Sequence, residues 1–89
     1  MVYMITYDLN TPGKDYADLY KSIGSISLSL IHPLESVWIV ESNLSLNQIY
    51  SSLKGIDSND RVLIIKMNSG EYYGYLSKTD VDWLASKRF

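Results

Sequence analysis

Apolar residues fall in short runs separated by polar breaks, and the period within each run separates strand from helix. Val2 to Tyr7 reads Val-Tyr-Met-Ile-Thr-Tyr, dense in β-branched and aromatic residues and free of Gly and Pro, which predicts a central strand ending at Asp8. Asn10-Thr11-Pro12-Gly13 predicts a turn. Tyr16, Leu19, Tyr20 and Ile23 then recur at i, i+3, i+4 and i+7, one face of a helix. Asp15 and Asp18 lie near its start, where the helix dipole favours acids, and Gly24 reads as its stop.

From Ser27 to Ser42 the period changes to that of a strand. Ser27-Leu28-Ser29-Leu30 alternates, Val37-Trp38-Ile39-Val40 is continuously apolar, and His32-Pro33-Leu34-Glu35 between them reads as the bend of a hairpin. Ser45-x-x-Gln48 fits a capping box, with Leu44 and Ile49 as its staple. The helix it opens presents Leu46, Ile49, Tyr50 and Leu53, and Gly55 reads as its stop. Arg61 to Met67 is a further strand, Asn68-Ser69-Gly70 a turn, and Glu71 to Leu76 a short fifth strand weakened by Gly74. Thr79 is the expected cap of a last helix, with Asp80 and Asp82 in its first turn and Lys87 and Arg88 at its end. The order β-α-β-β-α-β, plus a short strand and helix, predicts a ferredoxin-like α+β domain over residues 1–89.

Composition narrows the function classes. A chain of 89 residues, 46 % apolar, has room for one core and is too apolar for disorder. Its net charge of −2 argues against a strongly basic nucleic-acid binder, though not against a local basic patch. The absence of cysteine excludes disulfides, thiolate zinc sites and a cysteine nucleophile. Apolar runs such as Val62 to Ile65 are far too short to cross a membrane, and strand-like sequence begins at once, so a cytoplasmic protein without membrane contact is expected. Eight tyrosines and two tryptophans in so short a chain point to surface buried in a homodimer.

Little in the chain carries chemistry. His32 stands alone beside a bend, no serine sits in a nucleophile elbow, and the scattered glycines form no phosphate loop. Asp15, Asp18, Asp80 and Asp82 belong to helix starts, Asp57 and Asp60 to a turn, and Glu35, Glu41 and Glu71 to solvated or edge positions. Asp8 differs because it ends a central apolar strand. Two readings stay open for it: a cap on the following turn, as Asx residues commonly supply, or a functional carboxylate. Tyr3, Tyr7, Tyr16, Tyr20, Tyr50, Trp38 and Trp83 read as core or interface rather than as base-stacking platforms.

Tyr7-Asp8-Leu9 at the end of the first strand, the helix after it and Ser36-Val37-Trp38 resemble the small CRISPR-associated spacer-acquisition endoribonucleases, the Cas-two family. Tyr7-Asp8-Leu9-Asn10 through Pro12-Gly13 to Tyr16 is more similar to their SinR-like relatives outside CRISPR loci, and the virulence-associated protein D toxins are a more distant likeness. The resemblance implies a ferredoxin-like homodimer in which Asp8 faces its symmetry mate, the pair holding one Mg²⁺ for hydrolysis of RNA or DNA. It also implies that Glu71 to Leu76 adds to the partner's sheet. The chain departs from the family in Lys14-Asp15-Tyr16-Ala17-Asp18, where arginines are usual, and in Trp38, where phenylalanine is common. Asp8 is therefore the expected catalytic and metal-binding residue, with Lys14, Lys21 and Arg61 as candidate nucleic-acid contacts. The alternative is a non-catalytic dimeric adaptor, or a toxin–antitoxin-type protein partner, of the same fold. A regulatory small-ligand domain stands third, lacking a convergent polar pocket in the pattern.

Overall fold

The computed structural model describes residues 1–89. Its elements are β1 (Val2–Asp8), α1 (Ala17–Ser25), β2 (Ser29–Leu34), β3 (Val37–Glu41), α2 (Leu46–Ser52), β4 (Arg61–Met67) and α3 (Lys78–Ser86). The four strands form one antiparallel sheet in the order β2-β3-β1-β4, which makes an α+β domain with β1 and β3 in the middle. No helix is long and apolar enough to cross a membrane.

Side chains alternate across a strand, so the two faces of β1 build two cores. Tyr3 and Ile5 pack with Val40 of β3 under Leu19 and Ile23 of α1 and Ile49 of α2. Val2 packs on the other face with Ile31, Ile39 and Leu84 of α3. The second cover is incomplete. α3 sits over β2, while Leu63 and Ile65 of β4 remain 57 % and 41 % exposed on the same side.

The capping box forms as its spacing predicts: Gln48 N–H donates to Ser45 Oγ at 3.3 Å, and Ser45 N–H to Gln48 Oε1 at 2.9 Å. Other expectations need correction. Glu71 to Leu76 forms no strand; its one backbone bond in this stretch, Glu71 N–H to Asn68 O, only closes the turn. Leu76 packs instead with Trp83 and Leu84 against the second core. Pro33 lies inside β2, at an irregularity between Ile31 and Leu34, and the turn itself is Glu35-Ser36. An edge strand tolerates this because one side of its ladder is unused.

Gly24 lies within α1 rather than ending it; the helix closes on Ile26 and Ser27 N–H groups bonded to Ser22 and Gly24 carbonyls. Gly55 serves packing instead of stopping α2. Its φ is +76°, and a Cβ there would come within 3.3 Å of Asp18 Cβ and Leu19 N. Ser77, not Thr79, caps α3, accepting from Asp80 N–H at 3.3 Å. Of the predicted apolar face of α2 only Ile49 is buried, because Leu46 and Tyr50 overhang the β4 edge with nothing beyond it.

Two substitutions test this packing. Ile49→Ala deletes a fully buried side chain and is expected to cost about 2–5 kcal/mol in urea unfolding. Tyr3→Phe removes the hydroxyl that donates to Leu44 O at 2.6 Å and is expected to cost about 1 kcal/mol.

Candidate functional site

β1 ends where β4 begins, and Asp8 pairs in register with Arg61. Asp8 follows Met4 and Thr6 on the sheet face that α3 leaves bare. It is exposed, and its carboxylate makes neither a hydrogen bond nor an ion pair. Beside it lies a shallow hollow of about 250 Å³ lined by Thr6, Tyr7, Asp8, Arg61, Val62 and Leu63.

The turn after Asp8 is held by a different carboxylate. Asp60, 6 % exposed, accepts from Asn10 N–H at 2.8 Å, Tyr16 hydroxyl at 2.8 Å and Asp57 N–H at 2.9 Å. Tyr16 oxygen in turn accepts from Thr11 N–H at 3.2 Å. Burial pushes the Asp60 carboxyl up, but the N–H groups of Asp57 and Asn10, the Tyr16 hydroxyl and the Lys14 charge outweigh it. The net shift is downward from the ordinary 3.8. Asx capping at this corner thus occurs, but Asp60 supplies it rather than Asp8. Asp57 and Asp60 do form the turn their spacing predicts, Asp60 N–H donating to Asp57 O at 3.0 Å. Nothing local signalled that Asp60 would also reach Asn10 and Tyr16 across the sheet corner.

The candidate cations are not assembled into one surface. Lys14 Nζ donates to Gly55 O at 2.7 Å, pairs with Asp57 at 3.0 Å and lies 5.1 Å from the Tyr16 ring centre. Arg61 Nη1 donates to Ser58 O at 3.2 Å and Asp60 O at 3.0 Å. Both lie near the corner but are engaged in holding its loops. Lys21 is exposed and without a partner, on α1, which packs on the face opposite to Asp8.

The histidine and the aromatics have packing roles. His32 stacks on Trp38 with ring centres 3.9 Å apart, and its Nδ1 lies 2.7 Å from Val37 O. Trp38 Nε1 donates to Tyr7 hydroxyl at 3.0 Å. Burial pushes the Tyr7 hydroxyl up; Trp38 opposes this, while Tyr20 and Glu35 add to it. Tyr20 and Tyr50 are exposed.

An Mg²⁺ ion prefers oxygen ligands, keeps several waters and is often held by one or two carboxylates. Asp8 fits such a role because its oxygens are free, whereas those of Asp60 are taken. No group of three or more His, Cys, Asp or Glu side chains comes together in the chain. An apolar groove of about 400 Å³ opens nearby, between Met4, Val37, Ile39 and Met67 of the sheet and Leu76 and Val81 beneath it. Searches against family models, curated proteins and solved structures return no match for this chain.

A carboxylate whose pKa falls on folding stabilises the fold at pH values above its unfolded pKa, and that contribution disappears as pH drops through the lower folded value. Acid titration of wild type is therefore expected to lose stability below about pH 4, given the ordinary 3.8 of Asp60. Asp60→Asn is expected to be less stable at neutral pH and to lack that part of the acid slope, read as melting temperature against pH. Asp8→Asn, at an exposed and unbonded carboxylate, is expected to melt with wild type.

Proposed function

We propose that this protein is a ferredoxin-like homodimer acting on nucleic acid, in which Asp8 of each copy together hold one Mg²⁺ for phosphodiester hydrolysis. The observation that carries the reading is the free carboxylate of Asp8 at the rim of an apolar, half-covered sheet face. The antiparallel order β2-β3-β1-β4 supports the ferredoxin-like assignment. The resemblance of Tyr7-Asp8-Leu9 and Ser36-Val37-Trp38 to the Cas-two and SinR-like families supplies the reaction.

The exposed side chains argue for a second copy. Leu34, Leu63, Ile65 and Val81 leave about half of each side chain in water, and Tyr73 and Tyr75 are almost fully exposed. Contiguous apolar and aromatic surface of this kind marks an interface. A two-fold axis through the bare face brings Asp8 toward its mate, and the unpaired Glu71 to Leu76 gains an edge in the other copy's sheet. A bound Mg²⁺ would supply Lewis-acid polarisation of a phosphate and an activated water. Asp8 would hold it, and of the three candidate cations only Lys21 is uncommitted, on the helix layer opposite to Asp8.

A dimeric adaptor without catalysis is the second reading. Leu46 and Tyr50 favour it, because they are 43 % and 63 % exposed on the helix layer, away from the bare sheet face.

The decisive assay compares wild type with Asp8→Ala on single-stranded RNA and duplex DNA with and without Mg²⁺. Loss of a metal ligand that contributes several kcal/mol is expected to reduce cleavage at least about a hundredfold while the dimer persists. Equal activity in both proteins sinks the metal site, and no cleavage by either on both substrates favours the adaptor. Leu63→Lys with Ile65→Lys is expected to convert a dimer to monomer in sedimentation velocity.

A further inference from the structure

A cleft of about 680 Å³ opens between the end of α2, the loop from Gly55 to Asp60 and the first residues of β4. It is larger than the hollow beside Asp8 or the apolar groove. It lies on the helix side of the sheet, where Leu53, Ile56 and Val62 lean on the first core. Those three side chains make part of its lining apolar, and Tyr50, 63 % exposed, adds a ring. The carboxylates of the lining are spent. Asp60 accepts from three donors within the fold, one oxygen of Asp57 pairs with Lys14 at 3.0 Å, and the other accepts from Thr11 hydroxyl at 3.3 Å. The donors are not. Ser52 bonds back to Gln48 O at 2.7 Å, whereas the hydroxyls of Tyr50, Ser51 and Ser58 make no hydrogen bond in the chain. Arg61 is committed through Nη1 alone, to Ser58 O and Asp60 O, which leaves its Nε and Nη2 hydrogens without an acceptor.

We propose that this cleft binds a small organic anion with a flat ring, the class to which a nucleoside monophosphate belongs, its oxyanion on Arg61 and Ser58 and its ring on Tyr50. A lining with unspent donors and spent carboxylates favours an acceptor-rich ligand over a cation. The charges agree, because Lys14 answers Asp57, three donors answer Asp60, and Arg61 has no acidic side-chain partner. The two carbonyls on Nη1 fix the guanidinium, and a fixed guanidinium presents paired N–H groups that match the oxygens of a phosphate or carboxylate. Ser58 lies beside it, since its own carbonyl is one of those acceptors. Small organic ligands occupy sites of about 300–1,000 Å³, whereas a bare oxyanion leaves most of such a volume and all of its apolar lining unused. The site is independent of the metal reading: it lies on the face opposite to Asp8 and needs no divalent ion.

The test is an NMR titration of the full chain in EDTA, with adenosine monophosphate, adenosine, inorganic phosphate and benzoate as probes. Adenosine monophosphate is expected to shift the amide resonances of Ser51, Leu53, Ser58 and Val62 and to leave those of Met4 and Val81 in place. Adenosine and inorganic phosphate, each carrying half of the required chemistry, are expected to need at least about tenfold more for the same shift. Benzoate matching the monophosphate assigns the site to aromatic carboxylates; a monophosphate that binds more tightly assigns it to nucleotides. Arg61→Gln is expected to raise the monophosphate midpoint at least about tenfold. Tyr50→Leu, at an exposed position, is expected to raise it at least about threefold and to leave inorganic phosphate unchanged. If Arg61→Gln does not fold, because Ser58 and Asp60 lose a donor, Tyr50→Leu and the comparison of probes decide. No shift at these residues with the monophosphate or benzoate up to about 10 mM overturns the proposal. So does adenosine binding as tightly as its monophosphate, or a midpoint that the folded variants leave unchanged.

Discussion

The buried carboxylate of Asp60 is the constraint on which the β1–β4 corner depends. Its bonds join the loop after β1, the residue preceding α1 and the turn before β4, three segments that no sheet or helix ladder connects. A carboxylate at 6 % exposure is tolerable only when its lone pairs are met by donors. The downward shift of its pKa is the sign that those donors outweigh the burial. Around it, Lys14 ties Gly55 and Asp57 to the same loop. The result is a polar knot beside the apolar core, fixing where β1 ends and hence where Asp8 lies.

The sheet itself is unevenly covered. α1 and α2 bury one face through Leu19, Ile23 and Ile49, whereas α3 reaches only part of the other through Leu84. α3 is anchored at its far end by Trp83 Nε1 donating to Ser29 Oγ at 2.7 Å and by Lys87 paired with Glu41 at 3.3 Å. These anchors hold the helix over β2 and β3, away from β4. Leu63 and Ile65 are therefore bare because the helix that could cover them is fastened elsewhere. Apolar side chains left in this way, on a strand whose outer edge is also unpaired, favour association with another chain.

Local signals made much of the fold legible. The dense apolar run of β1, the period of α1 and the Ser45-x-x-Gln48 box each carry their meaning within a few residues, and each forms where expected. Expectations failed where a distant contact decided the outcome. Glu71 to Leu76 has strand-like composition, but the second core claims Leu76. Gly55 resembles a helix stop, yet its lack of a side chain serves the close approach of α1. Lys14 and Arg61 looked available for phosphate because sequence cannot reveal that backbone carbonyls and Asp57 engage them. Asp8 was legible as unusual, but that the turn after it is capped by Asp60 was not, because Asp60 lies fifty positions from the N–H it accepts from.

Hydrogen-bond partners, more than residue type, set the chemistry of the corner. Two aspartates stand at adjoining strand ends on opposite sides of the sheet, and the difference between them is one of partners rather than of type. Asp60 has given its oxygens to three donors within the fold. Asp8 has given none and faces the side that α3 leaves bare. A carboxylate in that state gains most from whatever cation or donor an approaching surface brings, and the apolar side chains beside it supply the surface on which a second copy can settle. The structural acid closes the turn from the far side of the sheet, and the candidate functional acid stands unbonded beside the bare apolar face.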